Sequence, residues 1–470
     1  MTRSRFTRAL AAIGTAAALA VATGSLTAPA LAAPLDPAQG WSTLKLEGWS
    51  TLPKTVKPGT DLKQYATQSA EATKRNATSN DPANPAADPT PMPVDTRPGA
   101  KQFAPNYDYY TLDTCRALQG GNIDFQKFKN HFAYCYVGTG SITDWGRDKD
   151  GNIITLGVDT FRLTITGEGI TGDQKMKFWA AVDNWTSHPR AWNDYRFQLD
   201  IFCFALPRAD CRPNSRWESH PRKEWKSTYN NKPLTWTFDT SNAIGGGDGK
   251  HNDKDAVSYY EASPSINLPD GLRPTNKNGY KVPFRCDRAN YVYVGGGSTK
   301  KPYGCIYHEV PATFALSRTK NANISEVIQH IDDAQSGQGS KTKPPAVGVI
   351  IPGGKNSGQQ LSRNYYQTHA VAGNGSLEDK SRAQVVRICS DPQYYTQPYT
   401  VGPNGEARDC DEYPMAATYQ NAATIGSTGR WYSARPLSRS QNRSAGNAYK
   451  NWMRNDHILD SDWFWVRIDP

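Results

Sequence analysis

The chain lacks most of the motifs by which enzymes are recognised. No Cys-x-x-Cys spacing occurs, which excludes the common structural zinc sites. There is no glycine-rich Walker loop, so a phosphate cradle of that kind is excluded. Without a Gly-x-Ser-x-Gly elbow, a serine hydrolase loses its usual support. The histidines, His131, His188, His220, His251, His308, His330, His369 and His457, are scattered, with no His-x-x-x-His pair and no recognisable triad. Beyond Val21 no apolar run is long enough to cross a bilayer. The first cysteine comes only at Cys115.

The N-terminus suggests a compartment. A basic start, Thr2 to Arg8, precedes an apolar run from Ala9 to Val21 and the small residues Ala30-Leu31-Ala32. This order predicts a secretory signal peptide over residues 1–32, and hence a secreted, extracellular, soluble protein. In such a compartment disulfides are the default for the eight cysteines. Of the 105 connectivities open to eight cysteines, the simplest joins neighbours. These are Cys115 with Cys135, Cys203 with Cys211, Cys286 with Cys305, and Cys389 with Cys410. With 54 Lys and Arg against 44 Asp and Glu, the net charge is +10. An exported protein of that sign meets polyanions such as nucleic acid, anionic wall polymer or membrane surfaces.

Residues 33–100 are rich in Pro and Ala and read as a linker, propeptide or disordered arm, with Trp41 to Trp49 able to dock locally. Residues 101–311 read as a β-rich accessory domain. Phe161–Thr166, Tyr195–Ile201 and Leu234–Phe238 alternate apolar and polar, and Asp150-Gly151-Asn152, Gly245–Asp248 and Gly295–Gly297 mark turns. This pattern predicts a sandwich or a similar antiparallel module. Residues 312–470 read as α+β. Asn323-Ile324-Ser325-Glu326 has the spacing of a capping box for a helix that ends at Gly337. Val347–Ile351 is an apolar strand candidate, Leu377–Ile388 a helix, and Trp463–Ile468 a last strand. The fold class is therefore multidomain, a β-rich domain followed by an α+β domain.

The chemistry concentrates near the C-terminus. Asp411 and Glu412 follow Cys410 at the entry to a strand, where alternation points them to opposite faces. A carboxylate there can take a proton from water or hold a hard cation, although a solvated turn is the commoner role for such a pair. Gln441 and Asn442 offer neutral oxygens at the start of a helix, where an Asn is more often a cap. Asn451 lies nine positions beyond Asn442, on the opposite side of a continuous helix. Arg435, Arg439, Arg443 and Arg454 are suited to gripping phosphate, or equally to forming a solvated basic face. His369 and His457 are candidates to approach Asp411, though each reads first as a loop histidine.

Cys410-Asp411-Glu412-Tyr413-Pro414-Met415-Ala416 resembles the signature of the NucA/NucB family of secreted bacterial deoxyribonucleases. The likeness continues through Arg435-Pro436, Asn442-Arg443 and Gly446 to Asp460-Ser461-Asp462-Trp463-Phe464-Trp465-Val466, and covers the C-terminal domain only. It implies a ββα-metal, His-Me finger-like nuclease site in which an aspartate replaces the histidine base. By this likeness Asp411 is the general base, Glu412 and Arg443 support catalysis, and Gln441 and Asn442 hold Mg2+ or Mn2+. Arg435, Arg439 and Arg454 then contact DNA. The family pattern has a glutamate where this chain has Gln441 and a glutamine where it has Ala445. The implied activity is a metal-dependent, sequence-nonspecific endodeoxyribonuclease. The alternative is a catalytically inactive secreted protein that binds wall polymer, carbohydrate or nucleic acid. A hydrolase acting from the β-rich domain stays open as well.

Overall fold

The computed structural model describes residues 41–46, 90–97, 107–119, 125–186, 196–205, 211–213, 219–241, 251–267, 281–295, 297–366, 375–425 and 431–470. The leader at 1–32, most of 33–100, the Gly245–Asp248 turn, His188 and His369 lie outside them.

Two antiparallel sheets form the first half. One holds β1 (Trp41–Leu46), β2 (Phe125–Asn130), β3 (Ala133–Arg147), β4 (Ile153–Glu168), β6 (Lys175–Thr186), β8 (Arg212–Pro213) and β10 (Leu234–Asp239). The other holds β5 (Ile170–Thr171), β7 (Arg196–Ala205), β9 (His220–Pro221), β11 (Ser258–Asn267), β12 (Val282–Asp287) and β13 (Gly304–Ile306). The sequence alternation explains how they meet. Leu234, Trp236 and Phe238 on β10 are buried while Thr235 is exposed, and Phe197, Leu199 and Ile201 on β7 do the same. These residues join Tyr136, Leu163, Phe178, Tyr260 and Phe284 in one core between the sheets, as in a sandwich. Two short helices flank it, α1 (Leu112–Leu118) and α2 (Arg222–Lys226). Within 33–100, Trp41–Leu46 pairs with β3, and Thr96 bonds to Asn321 and Asn323.

All four neighbour disulfides form as the sequence spacing suggests: Cys115–Cys135, Cys203–Cys211, Cys286–Cys305 and Cys389–Cys410. They fit an oxidising compartment. Among the described residues no helix is long and apolar enough to cross a membrane.

From Ala312 the architecture changes. A three-stranded sheet sets β18 (Trp463–Asp469) between the parallel β14 (Ala312–Ser317) and the antiparallel β15 (Leu361–Ser362). Helix α3 (Ser325–Gln335) packs on it through Val327, Ile328, Ile331 and Ala334, which recur at helical spacing. The remaining elements are α4 (Leu377–Cys389), β16 (Arg408–Tyr413), α5 (Ala422–Ile425), β17 (Ser433–Ser438) and α6 (Arg439–Asn455). Phe314, Trp452 and Phe464 meet in this core, where full burial of each such side chain contributes roughly 2 kcal/mol.

Two local expectations fail. Val347–Ile351 is not a strand. It follows the Pro344-Pro345 pair, Gly348 turns with φ +75°, and Val347 stays 68% exposed. The capping box at Asn323 does not form either. Asn323 bonds instead to Thr96, and the Glu326 N–H donates to the Gln441 side chain at 2.9 Å.

The two halves share a buried polar joint. Arg285 of β12 is in bidentate contact with Asp462, and His251 lies 3.0 Å from the same carboxylate. His457 meets Asp287 at 2.9 Å, and His131 meets the Asp456 carbonyl at 2.8 Å. Burial pushes the Asp456 carboxyl up to about 7, against the pull of His131. Every one of these charges has a partner across the joint, and removing one partner of such a buried pair costs about 3–5 kcal/mol.

Candidate active site

Among the described residues, strands β16 and β17 pair only with each other, and α6 follows β17 without a break. Residues directly opposite in an antiparallel pair share a face. In this register Asp411 faces Arg435 and Tyr413 faces Ser433, so these four belong to one face, and Cys410, Glu412, Ala434 and Pro436 belong to the other. Helix α3 covers the first face. Its His330 and Asp333, three positions apart, meet Asp411 and Arg435 respectively. Helix α4 covers the second, where Ser381 meets Glu412 and Cys389 is bonded to Cys410.

Asp411 and Glu412 therefore sit in different chemical settings. Oδ2 of Asp411 lies 2.7 Å from His330 Nδ1, and His330 Nε2 lies 2.9 Å from the Ser433 hydroxyl. With the carboxylate ionised, Nδ1 donates to it and Nε2 accepts from Ser433. The ring is wholly buried, so this geometry is fixed. The other Asp411 oxygen has no hydrogen-bond partner among the described residues. Glu412 is in a drier place. Loss of hydration pushes its carboxyl up to about 8, assisted by the Asp411 charge and opposed by the Ser381 hydroxyl, which donates to it at 3.0 Å. Dehydration thus favours the protonated form of Glu412, while Asp411 is held on one oxygen by a buried ring.

Both acids open onto a cleft of about 1130 Å³. Helix α6 forms one wall. Arg443, Asn447, Lys450 and Arg454 follow one another at helical spacing along it, while Ala448, Tyr449, Trp452 and Met453 are buried. Asn442 and Arg382 also line the cleft. Asp409 lies between Arg439 at 2.9 Å and Arg443 at 3.3 Å, which orients both guanidinium groups.

The predicted site residues separate accordingly. Asp411, Glu412, Asn442, Arg443 and Arg454 come together. Gln441 does not; it turns to Glu326 and braces the start of α3. Arg435 is committed to Asp333 and the Lys341 carbonyl, and Arg439 to Asp409, neither of them among the residues lining the cleft. His457 belongs to the buried joint rather than to Asp411. His330 was the residue hardest to see. Its place is marked only by its helical position beside Ile331, where a core role reads equally well.

The predicted metal pair reduces to Asn442, one neutral oxygen. Glu412 is protonated near neutral pH, and among the described residues no three His, Cys, Asp or Glu side chains are grouped to hold an ion. Comparison with known proteins adds no constraint: no family model, curated protein or solved structure matches this chain.

Proposed function

We propose that the protein is an exported endodeoxyribonuclease that hydrolyses phosphodiester bonds in this cleft without sequence preference. The observation that carries the reading is Asp411, a carboxylate gripped on one oxygen by a buried histidine and open on a cleft walled by cations. The resemblance of Cys410–Ala416 to secreted deoxyribonucleases agrees with it.

The steps follow from the side chains. Arg443, Lys450 and Arg454 line the cleft and attract the phosphate backbone, whose contacts carry no sequence information directly. Asp411 takes a proton from the water that attacks phosphorus. His330 keeps that carboxylate aimed, and a misplacement of about 1 Å in such a group costs on the order of 100-fold. Glu412, which carries its proton at neutral pH, donates a hydrogen bond to the phosphate or its leaving oxygen. Asn442 would offer one neutral oxygen to Mg2+ or Mn2+, which would supply charge neutralisation at the phosphate.

The test is plasmid cleavage by the purified chain and by Asp411→Ala, each with Mg2+, Mn2+ or EDTA. Cleavage that disappears in the variant supports the reading. Intact plasmid with every addition, from protein shown to be folded, overturns it. A binding protein is the second reading, and the observation that favours it is Gln441, turned away from the cleft.

A further inference from the structure

The cleft is not confined to the C-terminal half. Asn290, Tyr291, Tyr293 and Lys300 of the sandwich line it together with Asp411 and α6. All four lie in the segment closed by Cys286–Cys305. Lys300 Nζ stands 3.8 Å from the centre of the Tyr293 ring, and the Arg454 guanidinium stands 4.6 Å from it. Both are within the range of a cation–π contact. One aromatic ring thus holds two cations from two halves of the molecule. Both cations and the ring line the cleft that also holds Asp411, so a phosphate chain lying there meets them.

Gly446 makes a second, independent point. It lies inside α6 on the cleft wall, where glycine costs a helix about 1 kcal/mol relative to alanine. A Cβ there meets nothing within 4 Å, so no internal contact demands the glycine. What it does is leave the wall low between Arg443 and Lys450, where a polymer can lie close to the helix.

We propose that Lys300 and Tyr293 of the sandwich, with Arg454 of α6, form a phosphate-binding ledge that holds the DNA strand beyond the bond cut at Asp411. The sandwich is then one side of the substrate groove rather than a separate binding module. DNA is favoured over another polyanion because the ledge and Asp411 share one cleft. This proposal rests on the nuclease reading for its substrate.

The test uses the full chain carrying Asp411→Asn and a fluorescein-labelled 30-mer duplex, with anisotropy measured over a salt series. Lys300→Gln with Arg454→Gln is expected to weaken binding roughly tenfold. It is also expected to lower the slope of log K against log salt by about 1.8, two phosphate contacts at about 0.9 each. Arg454→Lys, which keeps the charge, retains the slope, and Lys320→Gln, outside the cleft, changes nothing. Gly446→Ala is expected to weaken binding several-fold while raising Tm. Wild-type affinity and slope in the double variant overturn the ledge. The two readings fail separately. If the Asp411 protein cuts nothing yet the slope drops in the double variant, the chemistry is lost and the ledge stands. If it cuts with an unchanged KM in the double variant, the ledge alone is lost.

Discussion

Asp411 and Glu412 carry the same functional group on consecutive residues, yet the two faces of the β16–β17 ribbon make them different reagents. On the α3 face the carboxylate receives a hydrogen bond from a buried ring, and its charge is supported. On the α4 face the carboxyl lies beside a serine and a disulfide, and dehydration keeps its proton on. The strand supplies only the alternation. In the proposed reaction, the helices packed on either side decide which residue serves as base and which as donor. The raised carboxyl of Glu412 is thus set first by dehydration in the packed α4 face, with the Asp411 charge adding to it.

The comparison can be broken most directly at Asp411. Asp411→Ala should lower single-turnover cleavage by about 10³-fold, since removal of a general base commonly costs 10²–10⁴-fold, and should also lower the melting temperature by stripping buried His330 of its partner. Next in size is the disulfide on the opposite face. Cys389→Ser with Cys410→Ser opens a loop of 21 residues and should cost about 3 kcal/mol in denaturant unfolding. It also loosens β16 beside Asp411, so a double variant with undiminished stability and activity would count against α4 as a support.

His330→Gln should slow cleavage by about 10²-fold with KM nearly unchanged, because the base loses its aim and not its substrate. Arg435→Ala is the control on the same face. It strips Asp333 of a partner and should lower stability while leaving the chemistry intact. Equal losses of kcat in the two variants would show that the α3 face is structural only.

The remaining effect concerns pH. The Glu412 carboxyl ordinarily ionises near 4.5 and here holds its proton up to about 8. The folded chain therefore binds a proton between those values that the unfolded chain has released. This group's stabilisation is complete below pH 4.5 and is lost as pH rises through 8. Glu412→Gln should abolish that decline, seen as a smaller difference between urea midpoints at pH 5 and pH 8. The alkaline fall in cleavage near pH 8 should disappear with it.

Much of the fold was legible because it follows from local pattern. Period-two runs at Phe161, Phe197 and Leu234 became strands buried on one side, since a sandwich core takes every second residue. The helix from Leu377 and the four disulfides follow equally from short-range spacing. The site was legible only in outline. Asp411 and Glu412 stood out, but the direction of Gln441 depends on Glu326, 115 positions away, and that of Arg435 on Asp333, 102 away. His330 reaches Asp411 across 81 positions. Nothing in a short window indicates such partners. Val347–Ile351 shows the reverse error, an apolar run with no neighbouring strand to pair with among the described residues.

The order of the disulfides has a consequence for how the chain matures. Every cysteine is joined to the next one along, across separations of 20, 8, 19 and 21 residues. A chain that emerges into an oxidising space from its N-terminal end therefore presents its thiols two at a time. Each newcomer of a pair finds only its proper mate still reduced. Correct bonding then follows from the direction of travel, without later reshuffling. A chain reduced and unfolded as a whole has all eight thiols competing at once, with 105 connectivities open to it.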